Sequence, residues 1–104
     1  MWGKAMKKLF ISQPMRGKTD DEILIERKVL IADVYMKIHE EIEVIESFFE
    51  GAPADATPLW YLGESLKLLG TADFVVFAPG WQDYRGCHIE HDAAVAYGIP
   101  IVEV

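Results

Sequence analysis

Apolar positions along the chain alternate between short continuous runs and helically spaced stripes. Lys8 to Ser12 is a compact run around Leu9-Phe10-Ile11 that predicts a strand buried on both faces. It breaks at Gln13-Pro14, because proline has no N–H to give a sheet ladder. A loop from Gln13 to Lys18 leads into a helix, where Thr19 and Glu22 have capping-box spacing and Asp20 and Asp21 suit a helix N-terminus. Ile23, Leu30, Val34 and Ile38, widened by Ile31 and Tyr35, then keep a helical stripe that should end near Glu40 or Glu41.

Glu43 to Ile45 predicts a second short strand, and Phe48 to Thr57, with Gly51 and Pro53, a loop. Thr57 caps a second helix with Pro58 at its first position; Leu59, Leu62, Leu66 and Leu69 form its stripe and Gly70 ends it. Asp73 to Ala78 predicts a third strand, Pro79 to Gly86 a loop, and Cys87 to Tyr97 a third helix stopped by Gly98 and Pro100. Ile101 to Val104 predicts a last strand. The order β-α-β-α-β-α-β implies parallel pairing through right-handed crossovers. The expected fold is a flavodoxin-like, three-layer α/β/α domain, with a short parallel sheet of about four strands and three helices. In such folds ligands sit beyond the carboxyl ends of the strands, where Ser12 to Lys18 and Pro79 to Glu90 fall.

Composition narrows the partners. A chain of 104 residues, half of them hydrophobic, suits one compact domain. Met1 to Ala5 read as a leader or tag remnant, with the domain spanning 6–104. Ten Lys and Arg against seventeen Asp and Glu leave a net charge of −7, which argues against a nucleic-acid polymer or an anionic membrane as partner. One cysteine, Cys87, excludes an internal disulfide and a four-cysteine zinc site and suits a reducing cytoplasm. Neither a membrane span nor a signal peptide is expected. A small molecule or a second copy of the chain remains.

Three segments carry candidate chemistry. Ser12-Gln13-Pro14-Met15-Arg16-Gly17 joins a strand to a helix start, where backbone N–H groups, an Arg and a Ser hydroxyl can hold a phosphate or carboxylate; it can equally be an ordinary connection with Arg16 paired to a helix acid. Gly80-Trp81-Gln82-Asp83-Tyr84-Arg85-Gly86 sets two aromatics, an acid and an Arg between glycines, suited to stacking on a planar base or to covering the sheet end or an interface. Cys87-His88-Ile89-Glu90-His91-Asp92 opens the third helix. Ile89, Ala93 and Ala96 share the face expected to meet the sheet, with Glu90 about a quarter-turn away. Near the positive end of the helix dipole, Glu90 should stay ionised, serving either as a nucleophile or simply to stabilise the helix. His88 and His91 lack the four-residue spacing of a zinc helix, and Cys87 has no nameable base–acid relay, so no metal site or thiol nucleophile is expected.

Leu9 to Gly17, Ala72-Asp73-Phe74-Val75-Val76 and Arg85 to His91 together resemble the nucleoside 2-deoxyribosyltransferase-like superfamily, most closely its small DUF4406-type branch. The likeness runs from Lys7 to Val104. It implies a deoxyribosyltransferase or an N-glycosidic bond hydrolase, without cofactor, acting on a nucleoside or nucleotide by double displacement. Glu90 would attack C1′, with Asp83 assisting the leaving base. Ser12, Arg16 and Gly17 would hold a 5′-phosphate and Trp81 would stack on the base, with Met15, Gly80 and Gly86 as further substrate-binding positions. Catalytic members carry an Asp about two turns before the third strand; here that position is Ser65, which can bond a sugar hydroxyl but is a poor proton donor. Longer members continue past the strand at which this sequence stops and complete a neighbouring subunit's site. A nucleotide or ADP-ribose-like binding module without efficient catalysis, and an oligomeric accessory protein, are the alternatives. Family habit implies a homo-oligomer, a dimer or a dimer-based assembly, with Trp60 and Tyr61 expected at the contact.

Overall fold

A computed structural model describes residues 6–47 and 51–104, so the expected leader and three residues of the loop before the second helix lie outside it. The sheet is parallel and three-stranded. Strand β1 (Lys7–Ser12) lies between β2 (Ile42–Val44) and β3 (Phe74–Phe77), with Leu9 opposite both Val44 and Phe74. β1 is central because its last four residues, Leu9 to Ser12, are all buried.

Strand periodicity sorts these side chains into two cores. Leu9, Ile11, Phe74 and Val76 meet helix α1 (Asp20–Ile38) through Leu30 and Val34. Phe10, Val75 and Phe77 meet α2 (Pro58–Leu69) through Leu69 and α3 (Arg85–Ala96) through Ala94. One helix therefore covers one face of the sheet and two cover the other, giving the three-layer α/β/α arrangement expected from the element order.

The fourth strand is a correction. Ile101 makes one parallel bridge to Val75: the Val75 N–H donates to the Pro100 carbonyl at 2.9 Å and the Val102 N–H to the Val75 carbonyl at 2.8 Å. Pro100 has no N–H with which to extend that ladder toward its own N-terminus.

Helix α1 begins with the expected box. Thr19 Oγ1 accepts from the Glu22 N–H at 3.1 Å, and Glu22 Oε1 accepts from the Thr19 N–H at 2.8 Å. The helix stops before Glu40 because His39 turns left-handed at φ 53° while its N–H still donates to the Tyr35 carbonyl. Tyr35 is exposed, so it does not widen the core stripe. Arg27 is buried in that face instead, and it donates to the Ile45 carbonyl at 2.9 Å and to Ser47 Oγ at 3.5 Å.

In α2 the Leu stripe buries only at its end. Leu59 is 73% exposed, Leu62 and Leu66 are half-buried, and only Leu69 is fully in the core. Thr57 caps the helix by accepting from the Trp60 N–H at 3.1 Å. Helix α3 starts two residues earlier than its sequence suggests, at Arg85. Its buried face is Cys87, Glu90 and Ala94; of the expected packing face only Ala93 reaches the core, half-buried, while Ile89 and Ala96 are exposed. No described helix is long and apolar enough to cross a membrane.

Leu30 is buried among β1 and β3 side chains, so Leu30→Ala should cost about 2–4 kcal/mol, the range for a large core aliphatic that leaves a cavity. Urea unfolding should show this as a lower midpoint at unchanged slope.

Candidate functional site

The carboxyl end of β1 opens into a cavity of about 490 Å³, within the usual range for small-molecule sites. Its floor comes from β1 and the segment after it: Phe10, Ile11, Gln13, Pro14, Met15 and Arg16. Helix α2 supplies Tyr61, Leu62 and Ser65, and the start of α3 supplies Arg85, Gly86, Cys87 and Glu90. Asp83 and Tyr84 close the side between β3 and α3.

Glu90 is the chemical centre of this cavity. It lies in the second turn of α3, one helical step from Cys87, and is only 7% exposed. Ser12, the last residue of β1, is itself buried and donates its hydroxyl to Glu90 Oε1 at 2.6 Å. A bond this short from a hydroxyl to a carboxylate is a charge-assisted one. Burial pushes the Glu90 pKa up, while hydrogen bonding from Ser12 and then from Ser65 pulls it partly back. The sequence expectation of an acid held ionised by the helix dipole is therefore corrected, because desolvation outweighs the other influences on this carboxyl.

Cys87 shares the buried face. Burial pushes its thiol up, Ser12 opposes this by hydrogen bonding, and the Glu90 charge pushes it up further. These influences keep Cys87 protonated and unsuited to nucleophilic attack.

Gln13 is buried at the cavity floor. Its Nε2 donates to the Ile23 carbonyl at 2.7 Å and to Glu26 Oε1 at 3.1 Å, and Glu26 is also paired with Lys18 at 3.2 Å. Two acceptors on the nitrogen fix the orientation of the amide, and Oε1 has no partner among the described residues. Arg16 and Arg85 are both exposed and both line the cavity, so its mouth carries two guanidinium groups.

Of the residues singled out from sequence, Glu90, Asp83, Met15, Arg16, Ser65 and Gly86 line this one cavity. Ser12 stands behind Glu90 and acts through it. Gly17 and Gly80 are turn residues off the lining, with φ of 82° and 84°, a conformation that favours glycine. Trp81 is a correction. Its ring stacks on His91 at 4.1 Å and 12°, and lies against Phe77 at 5.4 Å, away from the cavity lining. The 3-10 turn Trp81–Asp83 sends Trp81 toward the second core and leaves Asp83 and Tyr84 on the cavity side.

Tyr61, expected at a subunit contact, lines the cavity, with its ring edge-on to Trp60 at 5.0 Å. Ser47 and Tyr61 were not legible as site residues, because nothing in their spacing indicates that the segment after β2 and α2 meet β1 here. Among the described residues no group of three or more His, Cys, Asp or Glu side chains is arranged to hold a metal ion.

No family model and no curated protein matches the chain. Among solved structures, a conserved protein from Enterococcus faecalis V583 is similar in fold, with a TM-score of 0.67 at 19% identity over 93% of this chain and 62% of that one. The chain thus spans less than two thirds of that neighbour's length, and at this identity the likeness shows the fold alone.

The raised Glu90 pKa predicts a pH-dependent effect on stability. A buried acid with a raised folded pKa contributes most when protonated, and that contribution is lost as pH rises through the folded pKa. Glu90→Gln should therefore raise the melting temperature at neutral pH, and the gain should vanish below the ordinary glutamate pKa of about 4.3. Thermal unfolding across pH checks this; an equal difference at every pH would contradict it.

Proposed function

We propose that the protein cleaves or exchanges the N-glycosidic bond of a deoxynucleoside monophosphate through a covalent ester on Glu90. The observation that carries this reading is the Glu90 carboxylate, brought to a cavity of nucleotide size and held from behind by Ser12 at 2.6 Å. In the first step a Glu90 oxygen forms a bond to C1′ while the C1′–N bond breaks and the base leaves with its electron pair. Asp83, which also lines the cavity, hydrogen-bonds or protonates the leaving base. In the second step water, or another base, attacks C1′ and releases the Glu90 carboxylate. Arg16 and Arg85 at the mouth suit a 5′-phosphate, and Tyr84 or Tyr61 takes the stacking role first expected of Trp81. Ser65 is placed to bond a sugar hydroxyl and to help keep Glu90 ionised. A buried lone thiol suits the reducing cytoplasm proposed as the location.

A binding module for a nucleotide or an ADP-ribose-like ligand is the second reading. It is favoured by the burial that raises the Glu90 pKa, which reduces the ionised fraction available for attack.

Incubation with deoxynucleoside monophosphates, with and without acceptor bases, followed by chromatography of free and exchanged base, tests the proposal. Base release should be lost in Glu90→Ala and fall by about 10² in Asp83→Asn, the lower end for a general acid. Binding of nucleotide without turnover, unchanged in Glu90→Ala, would favour the binding module. Because Glu90 must be ionised to attack, kcat should rise with pH through its raised pKa. Ser12→Ala, which removes a donor that lowers that pKa, should move the acid limb to higher pH. An acid limb unmoved by Ser12→Ala would contradict this role.

A further inference from the structure

Gln13 carries a buried acceptor that nothing in the chain uses. The residue is 6% exposed and lines the cavity. Among the described residues, its Oε1 is the one buried side-chain oxygen or nitrogen without a hydrogen-bond partner. Leaving such an atom unpaired is costly and rare in native structures, so an orphan beside a cavity points to a group that arrives from outside.

The amide cannot relieve this by turning over. Its Nε2 donates to the Ile23 carbonyl at 2.7 Å and to Glu26 Oε1 at 3.1 Å, and Lys18 Nζ holds Glu26 at 3.2 Å. A flipped amide would set Oε1 against that carbonyl and that carboxylate, three acceptors with no proton between them. Gln13 therefore offers the cavity an acceptor and no donor. Its partner must be an O–H or an N–H; an ether, ester or phosphate oxygen would meet it lone pair to lone pair.

Place decides which group this is. Strand β1 lies in the middle of the sheet, and Glu90 is tied to Ser12, its last residue. A C1′ atom within reach of Glu90 therefore lies over the end of β1, and Gln13 is the next residue of the chain. The part of a nucleotide held beside Gln13 is then the sugar. In a deoxynucleoside 5′-monophosphate, C1′ bears the base, C2′ has no oxygen, the ring oxygen has no proton and the 5′ oxygen is esterified. One O–H remains, at C3′.

We infer that Gln13 is a specificity-determining residue whose Oε1 accepts a hydrogen bond from the sugar 3′-hydroxyl, so that the cavity takes mononucleotides with a free 3′-hydroxyl and rejects those esterified there. The inference rests on the nucleotide reading above and narrows its substrate class. A nucleotide within a strand, esterified at both oxygens, is refused at this residue, which gives a local cause for the exclusion of polymers that the net charge of −7 favours. Ser65 makes no such demand, because a hydroxyl gives or takes a bond as required.

Calorimetric binding to the Glu90→Ala chain, in which turnover does not intervene, tests the inference. Deoxynucleoside 5′-monophosphates are compared with their 2′,3′-dideoxy counterparts. Loss of the 3′-hydroxyl should weaken binding about tenfold, the size of one hydrogen bond to a buried group. Gln13→Met, similar in length but without the acceptor, should bind the two alike. Ser65→Ala, which leaves the anchors of Gln13 untouched, should keep the preference. Equal binding of the two ligands before Gln13 is changed, a preference that survives Gln13→Met, or one that is lost in Ser65→Ala would overturn the inference and leave the nucleotide reading in place. Binding of neither ligand would overturn that reading, and this inference with it.

Discussion

The hydrogen bond from Ser12 to Glu90 ties the end of the central strand to the last helix across 78 residues of sequence. Without a donor, a carboxylate buried to this degree would be costly, because desolvation of the charged form has no compensation. With it, the same residue joins the two elements and presents an acid at the cavity. The site and the fold therefore share a support. Ser12 completes β1, with its carbonyl accepting from the Ala78 N–H at 2.9 Å, while its hydroxyl serves Glu90.

Around this contact the buried polar groups follow a consistent logic. Gln13 anchors the loop after β1 to the first turns of α1, and Arg27 anchors α1 to the segment after β2. Each replaces an apolar contact with a directed one, so the loop that bears Met15 and Arg16 is held at its base while its tip is exposed. A loop anchored in this way is suited to ligand binding, because less ordering is left to do when a ligand arrives.

Much of the architecture was legible because element signals agreed at several levels. Thr19 and Glu22 form the capping box that their spacing implies, and the alternation of apolar runs with helical stripes led to a parallel sheet with helices on both faces. Less legible was which face of α3 turns inward. Hydropathy favours Ile89 and Ala93 over Glu90, but hydrogen bonds from serines on other elements make burial of the acid tolerable, and no local pattern reveals those partners. Trp81 was misplaced for a related reason. A single 3-10 turn after Gly80 decides which of two nearby aromatics faces the cavity, and that choice depends on the available Phe77 and His91 rings. The last strand reduced to one bridge because an edge segment gains little from a ladder that Pro100 cannot extend.

The proposed chemistry depends on one bond, between a Glu90 oxygen and C1′ of a sugar. Intact-protein mass spectrometry on rapidly quenched mixtures with a deoxynucleoside monophosphate, followed by peptide mapping, examines it directly. The account predicts a transient adduct of the mass of a deoxyribose 5-phosphate residue, localised to Glu90 itself by fragmentation of the peptide that holds both Cys87 and Glu90. Base release with no adduct at any quench time, or an adduct on the neighbouring Cys87, would contradict it.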